Sequence, residues 1–159
     1  GFNRTLGLTL RKERAMGLLK IASVPGALVS PETSVFDAVH LMNDQRVGAV
    51  AVVKDDKLAG IFTERDLMIR VVLEGKDSKE TPVGDVMTPD CVSAAKDMSM
   101  GEALQIMTER HFRHLPVVDA DKKVLGLLSI RNLLHQRVDK LSQELDSVVA
   151  FFTADGIGG

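Results

Sequence analysis

Two short stretches of the chain place a hydroxyl and an acid or amide at a spacing suited to holding a sugar phosphate. They are Gly60-Ile61-Phe62-Thr63-Glu64-Arg65-Asp66 and Gly126-Leu127-Leu128-Ser129-Ile130-Arg131-Asn132. Each reads as glycine, two apolar residues, a hydroxyl residue, two further residues, then Asp or Asn. Such a pattern describes a strand running into a helix, where free backbone N–H groups and the positive helix end suit a phosphate. The hydroxyl of Thr63 or Ser129 can bond a phosphate or a ribose oxygen. A carboxylate at Asp66 offers paired acceptors to the two hydroxyls of a ribose cis-diol. Asn132 keeps one acceptor and loses the paired geometry, which puts ribose binding by the second copy in doubt. A hydroxyl at a helix start is also an ordinary N-cap, and capping alone explains one such motif. Two copies at the same place in a repeat favour binding.

The repeat extends well beyond these motifs. Ser34-Val35-Phe36-Asp37-Ala38-Val39-His40-Leu41-Met42 matches Ser99-Met100-Gly101-Glu102-Ala103-Leu104-Gln105-Ile106-Met107 at an offset of 65 residues. One extra residue then enters a polar turn (Asp119 to Lys123 against Lys54 to Lys57), and the offset becomes 66 up to the motifs. Ser34 and Ser99 are read as N-caps with an acid three positions on. Apolar residues at 35, 38, 39 and 42, and at 100, 103, 104 and 107, have helical spacing. A short β-branched run, a polar turn and a second apolar run then predict a hairpin. Ala27 to Val29 and Cys91 to Ser93 supply a further strand ahead of each first helix.

The fold class is therefore α/β (α+β): two β-α-β-β-α repeats. Neither copy buries both faces of a three-stranded sheet alone, so the two are expected to pack through their sheets into a pseudo-two-fold module. The boundaries are residues 1–20 for an N-terminal arm, 21–76 and 77–138 for the repeats, and 139–159 for a helical extension and tail. Gly75 to Glu80 reads as a linker, with Thr81 and Pro82 as N-cap and first residue of a short helix.

This doubled unit resembles the tandem CBS (cystathionine-β-synthase) domain pair. The resemblance is carried by Val47-Gly48-Ala49-Val50, Phe62 to Asp66, Ser78 to Thr88 and Arg113-His114-Leu115-Pro116-Val117-Val118, over about residues 25–137. It implies a non-enzymatic regulatory module binding AMP, ADP, ATP or S-adenosylmethionine between the repeats, with no cofactor required and an unidentified regulated protein as partner. It also implies two related sites. The first would use Thr63, Arg65 and Asp66, with Val50 and Ala51 lining the base and Thr88 and Val92 opposite. The second would use Ser129, Arg131 and Asn132, with Arg113, His114 and Pro116. The first repeat has Gly48-Ala49 where the second has Arg113-His114, so one complete site sharing basic residues from both repeats is expected. A structural dimerisation module with decayed sites is the alternative.

Bulk composition agrees with a folded binding module. The 159 residues are 45% hydrophobic and 26% charged, with a formal net charge of -2, so no basic field calls for nucleic acid or an anionic membrane. Arg4, Arg11, Lys12, Arg14 and Lys20 form a locally basic arm, read as solvated. Cys91 is the single cysteine, which excludes an internal disulfide and points to a reducing compartment, and the resemblance implies the cytoplasm or, alternatively, an organelle matrix such as the mitochondrial one. Cys91 reads as structural, and His111 with His114 lacks the companions of a zinc site. Leu134, Val138, Leu141, Leu145, Val148 and Phe152 recur at spacings of four and three, predicting a long last helix whose stripe is buried in a homodimer. Asp155 to Gly159 are expected to fray or to continue into a further segment.

Overall fold

Ser34 and Ser99 cap as expected. Ser34 Oγ accepts from the Asp37 N–H at 3.1 Å to open α1 (Val35–Gln45). Ser99 Oγ accepts from the Glu102 N–H at 3.1 Å while the Glu102 carboxylate accepts from the Ser99 N–H, a full capping box. The structure, a computed structural model, describes residues 17–157. The basic arm other than Lys20 lies outside them.

The first unit holds a four-stranded sheet in the order β1 (Leu28–Val29), β2 (Ala49–Lys54), β3 (Lys57–Thr63), β4 (Thr88–Pro89). Its remaining helices are α2 (Glu64–Asp66), which continues as a π-helix over Leu67–Val72, and α3 (Val83–Val86). The second unit holds a three-stranded sheet in the order β5 (Ala94–Ala95), β6 (His114–Val118), β7 (Val124–Ser129). It carries α4 (Met100–Arg110) and α5 (Ile130–Ile157). This is the doubled α+β unit that the repeat predicts. Both hairpins carry a register shift at matching places, between Val52 and Val53 and between Val117 and Val118.

Turn chemistry differs between the copies where the extra residue enters. Asp55 and Asp56 both have positive φ (52° and 60°), the geometry of a two-residue hairpin turn that aspartate tolerates. In the longer second turn Asp119 Oδ1 accepts from the N–H groups of Asp121 and Lys123 at 2.9 and 3.0 Å. Both acidic pairs are thus accounted for by backbone geometry.

Two expectations shift. The strand expected over Cys91 to Ser93 forms at Ala94–Ala95 instead. In the first unit Ala51 donates its N–H to Ala27 O, but Pro116 occupies the matching place and has no N–H, so parallel pairing begins one residue later at Ala94 and Val117. Pro82 is the N-cap of α3 rather than its first residue, and the preceding linker has a use. The carbonyls of Thr81 and Ser78 accept from the unpaired first-turn N–H groups of Val35 and Phe36, both at 2.9 Å. At the other end, α5 runs through Asp155 and Gly156 to Ile157.

Each unit has its own core, and each core borrows from the segment that leads into the other. The first gathers Val35, Ala38, Met42, Val50, Val52 and Phe62, closed by Val83 and Val86 of α3. The second gathers Ala103, Met107, Leu115, Val117, Leu128 and Leu133, closed by Leu18 from ahead of the first repeat. Edges are exchanged in the same way. Thr88 pairs with Ile61 of β3, and Ser23 pairs with Leu127 of β7 through two backbone hydrogen bonds of 3.0 Å. These partners are related by the repeat offsets.

Glycine makes both exchanges possible. A Cβ on Gly60 would lie 2.6 Å from the Thr88 carbonyl oxygen, and one on Gly126 would lie 2.9 Å from the Ser23 carbonyl oxygen. Gly60→Ala is therefore expected to destabilise the fold by about 1–3 kcal/mol, the usual cost of overpacking. Gly101→Ala, with nothing closer than 4.0 Å and a helical site, should gain about 0.5–1 kcal/mol. Urea unfolding of the two variants checks this; equal midpoints would contradict it.

Candidate functional site

The first motif folds into a closed hydrogen-bond cluster at the start of α2. Thr63 is the N-cap: its Oγ1 accepts from the Asp66 N–H at 3.2 Å, and Asp66 Oδ2 accepts from the Thr63 N–H at 3.0 Å. Thr63 Oγ1 also donates to Asp66 Oδ2 at 3.1 Å. The other carboxylate oxygen, Oδ1, accepts from Thr88 Oγ1 at 3.2 Å and has the Arg70 Nε 3.6 Å away. Arg70 in turn donates from Nη1 to the Met87 carbonyl at 2.7 Å. Asp66 is the only buried charged residue among those described, and three hydrogen-bond donors (the N–H and hydroxyl of Thr63 and the hydroxyl of Thr88) together with the ion pair to Arg70 account for its burial.

The motif therefore sits where the two repeats meet, because Thr88 belongs to the lead-in of the second. Arg70 and the Thr88 contact are not visible from the motif alone. The repeat offset does, however, identify a counterpart to Thr88: Ser23 precedes it by 65 residues and pairs with β7 as Thr88 pairs with β3. Sequence reasoning missed Ser23, although that offset contained the signal.

The second motif is more open. Ser129 Oγ accepts from the Asn132 N–H at 3.1 Å, so the cap is formed, but Asn132 is exposed and its side chain makes no hydrogen bond among the described residues. Arg131, Arg113 and Arg65 are also exposed, with no ion-pair partner among the described residues.

His114 crosses the seam between the units. A Cβ on Gly48 would lie 2.9 Å from His114 Cε1 and 3.0 Å from Glu64 Oε1, so the missing side chain of Gly48 makes room for the imidazole and the carboxylate together. The space that the first repeat leaves at Gly48 is thus taken by a ring from the second. Around it the sheets touch through small apolar clusters, Ala49 with Ile61 and Leu127, and Ala51 with Val118 and Val124. The Leu58 N–H donates to the Lys122 carbonyl across the same seam at 3.0 Å.

Not every predicted lining residue reaches this region with its side chain. Val50 is fully buried in the first core, Ala51 is fully buried in the seam, and Pro116 is buried. Their side chains are engaged with protein, because β2 and β6 are inner strands covered on both faces. A base lying beside them would meet backbone or require movement. Val92 is half-buried against the second core. Burial pushes the Cys91 thiol up to about 11, the Asp90 charge adding to the effect against a backbone hydrogen bond, which fits an inert side chain. Among the described residues no group of three or more His, Cys, Asp or Glu is placed to hold a metal, and no helix is long and apolar enough to cross a membrane.

Comparison with known proteins agrees with the doubled unit. The profile of the CBS domain matches residues 22–73 and 83–139. The chain is 36% identical over 125 residues to the CBS domain-containing protein CBSX3, mitochondrial, of Arabidopsis thaliana, covering 76% of this chain and 60% of that protein. It is also 36% identical over 118 residues to the CBS domain-containing protein YhcV of Bacillus subtilis, covering 74% and 81%. Among solved structures, CBSX2 in complex with AMP superposes with a TM-score of 0.65 at 28% identity, covering 77% of this chain and 96% of that one.

The His114 contact carries a pH signature. Burial lowers its pKa from the ordinary 6.5; the Glu64 carboxylate opposes this and the Arg113 charge adds to it. Below pH 6.5 the unfolded chain therefore binds more protons at this ring than the folded one, so stability is lost as pH falls through the window under 6.5 and is fully present above it. The unfolding midpoint is expected to drop between about pH 7 and pH 5 more steeply for the native chain than for His114→Gln. Parallel curves in that range would contradict the reading.

Proposed function

This chain belongs to the CBS-domain family, and on that premise we propose that it is a regulatory module, not an enzyme, that binds an adenine nucleotide between its two units. AMP is the ligand most directly suggested, with ADP, ATP and S-adenosylmethionine as the related chemistries. Occupancy would be passed to an unidentified partner protein through the geometry of the pair or of a homodimer, in the cytoplasm or an organelle matrix. The observation that carries this reading is the Thr63–Asp66–Thr88 cluster, in which an acid of one repeat is held by a hydroxyl from the lead-in of the other. The AMP-bound relative supports adenine chemistry.

Asp66 begins with its acceptors engaged, so a ribose diol would replace hydroxyl donors rather than find a vacant carboxylate. Thr88 is the donor best able to yield, since its hydroxyl rotates freely and one hydroxyl can stand in for another. Exposed Arg113 and Arg131, with His114, would receive the phosphate. The same engagement supports a second reading, a structural dimerisation module with decayed sites, in which Asp66 serves only as a cap and Asn132 marks loss of the second site.

Calorimetry separates the two. AMP is expected to bind and GMP to bind far more weakly. Asp66→Ala should weaken AMP about tenfold or more, equivalent to about 1.4 kcal/mol or above, and Asn132→Ala should weaken it less. The opposite order would make the second site the functional one. Absence of binding to any adenine nucleotide would favour the structural reading.

A further inference from the structure

Past Leu133, which closes the second core, α5 leaves the body of the protein. Every residue from Leu134 to Thr153 is exposed, including eight large apolar side chains between 45% and 68% exposed. A lone helix of this length is marginal in water, and most helical stability in proteins comes from an apolar face that is covered. The face here has a particular period. Leu134, Leu141 and Val148 are seven residues apart, and so are Val138, Leu145 and Phe152. Ile130 and Leu133, which face the chain's own sheet, are not part of this stripe. Two interleaved seven-residue series form the narrow seam of a coiled coil, which a partner helix with the same repeat covers best.

We infer that residues 134–152 form a parallel two-stranded coiled coil with a second copy of this chain, an inference that rests on the homodimer reading above. A second copy supplies the same repeat with no further partner, and the flanking residues select the direction. Arg137 and Glu144 precede the seam positions Val138 and Leu145, while Ser142 and Val149 follow Leu141 and Val148. In a parallel pair Arg137 of one copy lies beside Ser142 of the other and Glu144 beside Val149, with no like charges opposed. Val148, Val149, Phe151 and Phe152 then gather at one apolar end. An antiparallel pair that covers the whole stripe sets Glu144 against Glu144 and Arg137 against Phe151. A shorter antiparallel register that pairs Arg137 with Glu144 leaves Val148 and Phe152 uncovered.

The consequence for function is orientation: a parallel coil brings the two second repeats side by side, so the Ser129–Asn132 motifs of both copies fall at the same end of the assembly. Disulfide trapping in the full chain tests it, with the native cysteine removed by Cys91→Ala. Leu141→Cys, and separately Val148→Cys, are expected to give a covalent dimer on mild oxidation because like seam positions face each other in a parallel pair. Gln143→Cys, on the outward face, should cross-link at least tenfold more slowly. Light scattering on the reduced parent chain reports the oligomer independently. A dimer in which Leu141→Cys links only when mixed with Leu145→Cys is antiparallel, and overturns the inference while leaving the homodimer reading intact. A dimer linking at neither seam position also overturns it, and a monomer overturns both.

Discussion

The exchange of lead-in segments is the constraint on which the rest of the structure depends. The backbone ahead of each repeat closes the sheet edge and the core of the other, so neither unit is complete without its neighbour. The exchange is permitted by Gly60 and Gly126, where any side chain would strike the incoming backbone. Because β3 and β7 receive a foreign edge just before they run into helices, whatever those helix starts hold is held jointly. Thr88 reaching Asp66 follows from the pairing of Thr88 with Ile61.

On the proposed reading, that geometry would give a physical route from ligand to shape. Asp66 is buried and bound by donors from both repeats, so a ribose hydroxyl that replaced one of those donors would change the tie between the units without leaving the carboxylate unsatisfied. His114 sits on the same seam, in the room that Gly48 leaves. Small apolar contacts such as Ala49 with Leu127 keep the seam close without interlocking large side chains. A joint of this kind responds to a change at its polar end more readily than a core filled by Phe62 and its neighbours.

The sequence was most legible where a repeat states the same thing twice. Both caps, both hairpins and both helical faces follow from local spacing, and each is confirmed by its copy. The exchange itself was not legible, because a lead-in that packs on a distant repeat has no local signature; only the offset between Ser23 and Thr88 hinted at it. The shifted strand at Ala94 needed knowledge of which N–H would pair, which places Pro116 in register. Burial of Val50 and Ala51 is a tertiary fact, since an apolar strand residue reads alike whether it lines a slot or fills a core. Asn132 against Asp66 was visible from the start, and its exposure is the structural counterpart of that difference.

The central claim is that one nucleotide site is built jointly by the first motif and by the lead-in and seam of the second repeat. Amide chemical-shift mapping during titration with AMP tests it most directly. The account predicts that Thr63, Glu64 and Asp66 shift together with Thr88 and His114, on one binding curve, while the amides of α5 beyond Lys140 stay unchanged. Shifts confined to a single repeat, or none at the Thr63–Asp66 turn, would contradict it.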